Sequence, residues 1–144
     1  VFENMEQFEK EQVLEKGYLS LIRKDKIQKF MDSSLRMRMK KAAEEGLLWK
    51  EQPFVLGVSA KEYDKNLPEE EQMLIQGIID VFFEEDGKIV VADYKTDAIK
   101  TPEELKKRYE EQLNYYAKAL KNITGKEVKE KILYSFSLNC EVRL

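Results

Sequence analysis

Asp80, Asp93 and Lys95 are the residues whose types and spacing point to chemistry. Between the two aspartates, Asp86-Gly87 separates two β-rich runs, residues 73–83 and 89–94. Asp-Gly in that setting is the strongest short-range cue for a two-residue hairpin turn. Such a turn pairs Glu85 with Lys88 and, counting outward, sets Asp80 directly opposite Asp93. Opposed side chains stand about 4.5–5.5 Å apart at Cβ, where like charges are destabilising, so the arrangement calls for a cation. A hard divalent ion suits it, because Mg²⁺ takes oxygen ligands and is typically held by one or two carboxylates together with substrate phosphates. Lys95 follows Asp93 by two residues, which places both on one face of the strand, and Ile78, Phe82 and Val91 supply apolar neighbours. A metal held there can polarise a phosphodiester and lower the pKa of water for in-line attack. Lys95 can orient that water or offset charge building on the phosphate. The plain alternative is an acidic hairpin face turned to solvent, which needs neither the lysine nor the apolar frame.

The elements that must position these groups are legible in outline. From Phe2 to about Glu45 apolar residues recur at three- and four-residue spacings: Phe8, Val13, Leu14, then Ile27, Phe30, Met31, then Leu35, Met39, Ala42, Ala43. Two or three helices are expected, with breaks near Gly17 to Ser20, at Ser33-Ser34 and at Gly46. Ser33 or Ser34 can cap the following helix, and Gly46 can close it in a left-handed conformation. Residues 47–49 and 53–58 read as extended chain and a first strand, followed by a polar loop through Asp64, Asn66, Pro68 and Glu71. After the hairpin, Thr101-Pro102-Glu103-Glu104 opens a long helix with a Thr N-cap, Pro at the first helical position and Glu at the capping-box position. Its stripe runs Leu105, Tyr109, Leu113, Tyr116, Ala117, Leu120, ending near Gly125. Residues 132–138 read as a last strand with Ile132, Tyr134, Phe136 and Leu138 on one face. The expected architecture is α/β, a mixed and mainly antiparallel sheet flanked by helices in the order helices-β-β-β-α-β. Residues 1–46 form a helical part and 47–144 the core of one domain.

Composition narrows the function. The 144 residues, 42% hydrophobic and 37% charged, suit a folded domain. No apolar run approaches the roughly 20 residues of a membrane span. One cysteine, Cys140, and no histidine exclude disulfide frameworks, Cys/His zinc sites and His-based triads. An unpaired thiol suits a reducing cytoplasm. The net charge of −3 argues against gripping nucleic acid by bulk electrostatics. The basic groups Arg36, Arg38, Lys40, Lys41 and Lys106, Lys107, Arg108 could touch phosphates but read more readily as solvated helix faces, and the tyrosines at 109, 115 and 116 could stack on bases, though helical aromatic spacing more often means packing. The start at Val1 suggests a piece of a longer chain.

Three short elements in order, Gly77-Ile78-Ile79-Asp80, Asp93-Tyr94-Lys95-Thr96-Asp97 and Gln112-Leu113-Asn114-Tyr115-Tyr116, closely resemble the Gly-x-x-Asp, Asp-Tyr-Lys-Thr and Gln-x-x-x-Tyr motifs of RecB-family nucleases. With Glu51-Gln52-Pro53-Phe54 ahead of the hairpin, the pattern looks most like the nuclease domain of AddA-type helicase/nuclease subunits. The resemblance implies a restriction-endonuclease-like, PD-(D/E)XK fold, with Asp80 and Asp93 as ligands of Mg (or Mn) and Lys95 as the catalytic lysine. Gln112 and Tyr116 would be supporting residues. Glu51 is a further candidate, able to approach the metal from the neighbouring strand. It also implies a Mg-dependent deoxyribonuclease, an exonuclease acting on DNA single strands in double-strand break repair and recombination, with an AddB-type partner subunit. No Gly-x-x-x-x-Gly-Lys-Ser/Thr loop is present, so ATP would be bound by a helicase part outside this chain. RecB-family nucleases usually add a histidine from an upstream helix as a metal ligand. Here none exists, so either it lies beyond this chain or the site is incomplete. Two rivals are separable: a Cas4-like nuclease would carry four cysteines for an iron–sulfur cluster, and a catalytically silent docking module would bind no metal.

Overall fold

The computed structural model describes residues 24–144; the helical stretch expected before Lys24, with its break at residues 17–20, lies outside the described residues. The first two described helices are α1, Lys24–Met31, and α2, Ser34–Glu44. The N-cap of α2 is Ser33, whose Oγ accepts Arg36 N at 3.2 Å. Gly46, at φ 72°, closes α2. There Leu47 N donates to Ala42 O at 2.8 Å and Gly46 N to Ala43 O at 3.1 Å, so the last carbonyls are satisfied as in a Schellman turn. Strand β1, Leu48–Ser59, leads through the short helix α3, Ala60–Tyr63, and a polar loop into β2, Gln72–Glu85. Asp86 and Gly87, at φ 55° and 76°, make the expected tight turn into β3, Lys88–Lys95. Both positive φ values match the twist of a two-residue hairpin. Helix α4, Pro102–Thr124, then crosses to β4, Val128–Ser135, and β5, Cys140–Arg143, ends the chain.

The five strands form one sheet in the order β1-β2-β3-β4-β5. All neighbours are antiparallel except β3 and β4, which run parallel with α4 as the crossover. One face is covered by α1 and α2, which bury Ile27, Phe30, Leu35 and Met39 against Val90, Ala92, Tyr94 and Tyr134. Phe30 sits edge-on to Tyr134 at 4.8 Å and to Tyr94 at 5.5 Å. The other face is covered by α4, whose Leu105, Leu113, Tyr116, Ala119 and Leu120 pack on Phe54, Ile79, Phe82, Val91 and Leu133. Among the described residues no helix is long and apolar enough to cross a membrane.

Two sequence expectations are corrected at the C-terminus. The last strand starts at Val128 and stops at Ser135, so Phe136 and Leu138 lie in a turn, where Leu138 N donates to Ser135 Oγ at 3.0 Å. Leu138 accordingly joins the α4 side rather than the face of Ile132 and Tyr134. The four-residue strand β5, with Val142 as its one buried residue, is too short to show a period in sequence.

At Asp80 the expected alternation of β2 is broken. Strict alternation along β2 would put Ile79 with Val81 and Phe83, yet Ile79 and Phe82 pack on the α4 side while Val81 and Phe83 pack under α1 and α2. The paired strand does the same: Phe54, Leu56 and Val58 face α4, whereas Leu48 packs on the opposite core. Both reversals fall where the register between Lys50↔Val81 and Gln52↔Ile79 places Glu51 opposite Asp80. Glu51 there has φ 49°, a left-handed conformation that is uncommon for a non-glycine residue. The ribbon therefore turns over at Asp80. Ile78, expected beside the aspartates, is left 49% exposed.

Candidate active site

Asp80 sits at the turn-over of β2 and Asp93 near the end of β3, both under α4. The hairpin register holds through Val81↔Ala92, so Asp80 and Asp93 are the next opposed pair. Asp80 Oδ2 accepts Tyr94 N at 3.1 Å, a backbone bond that ties the carboxylate to the neighbouring strand. Asp93 is 3% exposed. Burial, then the hydrogen bond and charge of Asp80, push its carboxyl up to about 8 against the opposing pull of Lys95. Two carboxyls this close, one of them buried and the other half-buried, resist ionising together without a counter-charge.

Lys95 supplies part of that charge. Its Nζ stands 2.7 Å from Asp93 Oδ2 and donates to Gln112 Oε1 at 3.1 Å. Its third side faces the Tyr109 ring, 3.8 Å from the centroid. Gln112 thus finds the polar partner that its place in an apolar helical stripe demands. Tyr116, one turn further along, donates its hydroxyl to Ile78 O at 3.3 Å and meets the Phe54 ring edge-on at 5.4 Å. The Phe54 ring in turn lies against Gly77: a Cβ there would come within 3.1 Å of Phe54 Cε1 and 3.4 Å of Cζ. So Gly77-x-x-Asp80 and Gln112-x-x-x-Tyr116 are two sides of one contact, joined through Phe54, which hold the strand segment entering Asp80.

The structure gathers Asp80, Asp93, Lys95 and Gln112, and sets Tyr116 behind them. Glu51 lies opposite Asp80 on the neighbouring strand. Among the described residues no group of three or more His, Cys, Asp or Glu side chains is placed to hold a metal ion. The donor set that remains is two oxygen-only groups beside an ammonium. That fits a hard cation which completes its shell with water and phosphate oxygens.

Asp97, and Tyr109, which reads in sequence as packing, belong to this neighbourhood. Tyr109 Oη donates to Asp97 Oδ2 at 2.7 Å, and Arg108 Nη1 donates to the same oxygen at 2.8 Å. Partial burial pushes Asp97 up, but these two hydrogen bonds outweigh it and hold the carboxyl below its usual range. Burial and the facing carboxylate push the Tyr109 hydroxyl up to about 12, so it stays a donor. The available signal was the spacing of Tyr109, Gln112 and Tyr116, which share a helix face. Arg38, read as solvated, is paired with Glu85 at 2.8 Å and with Glu130.

The sequence of residues 2–141 matches the family model described as the PD-(D/E)XK nuclease superfamily. The chain belongs to that superfamily. This nuclease domain is 35% identical over 167 residues to an A-type ATP-dependent helicase/nuclease subunit of Lachnoclostridium phytofermentans, covering 92% of the chain and 12% of the relative. Against the proteins of the same name from Clostridium botulinum and Clostridium kluyveri, identity is 44% over 123 residues and 42% over 116. Those matches cover 83% and 78% of the chain. The domain spans only about a tenth of the length of these relatives, 9% in the last two.

Proposed function

We propose that this domain hydrolyses phosphodiester bonds of DNA with a divalent cation, Mg²⁺ or Mn²⁺, held by Asp80 and Asp93, with Lys95 as the catalytic lysine. The observation that carries the reading is the opposed carboxyl pair, 3% exposed at Asp93, with the Lys95 ammonium at 2.7 Å. When bound, the cation would polarise the phosphodiester and acidify the attacking water. Lys95 sits where it can steady that water or meet charge developing on the phosphate. Gln112 holds the ammonium in reach, and Tyr116 with Phe54 keeps the Gly77 to Asp80 segment in place. The low exposure of Asp93 and Lys95 keeps these interactions strong by excluding water. By its likeness to helicase/nuclease subunits, we place the domain in an ATP-dependent helicase/exonuclease that processes double-strand breaks for recombinational repair. It would act on single strands delivered by the motor, in company with an AddB-type partner. ATP binding would fall to the helicase part.

Calorimetric titration of Mg²⁺ and Mn²⁺ into the parent chain and Asp80→Ala, with cleavage of single-stranded DNA in the same samples, tests the reading. Metal binding and cleavage in the parent, both lost in the variant, are the expected result. A parent chain that binds neither ion would replace the nuclease reading with a docking role, in which the fold is kept for contact alone.

A further inference from the structure

We propose that Tyr109 is a positioning residue for Lys95, its ring closing a three-sided cage with Asp93 and Gln112, and that Asp97 sets the angle of that ring. The proposal rests on the reading of Lys95 as the catalytic lysine. An ammonium has three N–H donors and no acceptor. Asp93 Oδ2 at 2.7 Å and Gln112 Oε1 at 3.1 Å take two of its directions. The Tyr109 ring, with its centroid 3.8 Å from Nζ, fills the third and lies well inside the range of a cation–π contact. The Lys95 side chain is 14% exposed, so the contact is largely desolvated, where such attraction is strongest.

A ring that merely filled space would not need its hydroxyl fixed. The Tyr109 hydroxyl is fixed, at 2.7 Å from Asp97 Oδ2, and Arg108 clamps the same oxygen at 2.8 Å while its Nη2 donates to Glu104 Oε1 at 3.3 Å. The ring plane is therefore set from both ends, by the backbone of α4 and by the loop two residues beyond Lys95. Tyr109 stands three residues before Gln112, so it extends the Gln112-x-x-x-Tyr116 face by one turn toward the helix N-terminus. The cage also has a consequence for the working site. If Asp93 turns its oxygens to a cation, Lys95 loses one partner. Gln112 and Tyr109 then keep the flexible four-carbon side chain from swinging into solvent and leave one N–H free for the phosphate.

The test compares Tyr109→Leu, which keeps apolar bulk but removes the aromatic face, with Tyr109→Phe, which keeps the face and loses the tether. The position of Lys95 is read in the metal-free chain, with lysine ε-carbons isotopically labelled and the Lys95 signal assigned from Lys95→Arg. A methylene beneath an aromatic face is shifted upfield, and Tyr109→Leu should move that signal to the position of solvent-exposed lysines while Tyr109→Phe retains most of the shift. With Mg²⁺ and single-stranded DNA, Tyr109→Leu should lower kcat by about 3- to 30-fold with KM unchanged. Tyr109→Phe should lie between it and the parent. A Lys95 signal unmoved by Tyr109→Leu overturns the proposal, as does an equal loss in both variants or a loss confined to KM. A parent chain that cleaves no DNA with either ion would sink the nuclease reading while the lysine signal still decides the cage.

Discussion

Adding a single methyl group at Gly77 probes the contact that joins the two halves of the site. In Gly77→Ala the new Cβ would stand 3.1 Å from Phe54 Cε1, and that ring cannot retreat freely because it is braced edge-on against Tyr116 at 5.4 Å. Overpacking of this kind costs about 1–3 kcal/mol. Replacing a strand glycine by alanine recovers about 0.5–1 kcal/mol of chain entropy. The net loss should be about 1 kcal/mol, read as a lower urea midpoint at unchanged slope. Activity should suffer more than stability, because the displaced strand carries Asp80 three residues on. A displacement approaching 1 Å at a reacting group lowers rates by about 100-fold, so cleavage should fall by between about 10- and 100-fold. The reasoning is checked by Phe54→Leu, which removes the two ring atoms in the way. Gly77→Ala should then cost nothing further, giving a coupling of about 1 kcal/mol in the double-mutant cycle. A Gly77→Ala chain as stable and active as the parent would refute the account, and so would a penalty that persists in the Phe54→Leu background.

Asp93→Asn should raise the midpoint of thermal unfolding in chelator-containing buffer while abolishing DNA cleavage, because it relieves a carboxyl that is 3% exposed of its conflict with Asp80; a lower midpoint would mean that the ion pair to Lys95 outweighs burial. At the other end of the sheet, the hydrogen bond from Arg38, helped by Lys129, holds Glu85 down at about 2 from an ordinary 4.5. The folded state thus binds fewer protons than the unfolded one between those values, so this contribution is complete above about pH 4.5 and is lost as pH falls toward 2. With the Glu85 side chain 30% exposed, screening reduces it to about 1 kcal/mol. Glu85→Gln should flatten the acid limb of a stability-against-pH curve by that amount, and an unchanged limb would show the cluster to be inert.

What could be read from the residues alone was what short-range chemistry decides. Asp86-Gly87 demands two positive φ values, and that demand sets the β2–β3 register and with it the opposition of Asp80 and Asp93. Ser33, Gly46, Thr101 and Pro102 each satisfy or terminate a local run of backbone hydrogen bonds, so α2 and α4 begin or end where those residues say. The capping box was legible only in part: Thr101 Oγ1 accepts Glu104 N at 3.2 Å as expected, but Glu104 reaches past the cap to Lys100 N at 3.3 Å and also holds Arg108. Other features depend on how distant pieces come to rest against one another, and no local pattern encodes that. The turn-over at Glu51 and Asp80 breaks the period of two because the outer half of the hairpin packs its other face on α4. Tyr109, Asp97 and Lys95 meet only once the rotation of α4 over the sheet is settled, and Glu85 finds Arg38 and Lys129 from two other elements. The candidate residues could be named from their order along the chain; which neighbours surround them was decided by the packing of α4 across the parallel pair β3 and β4.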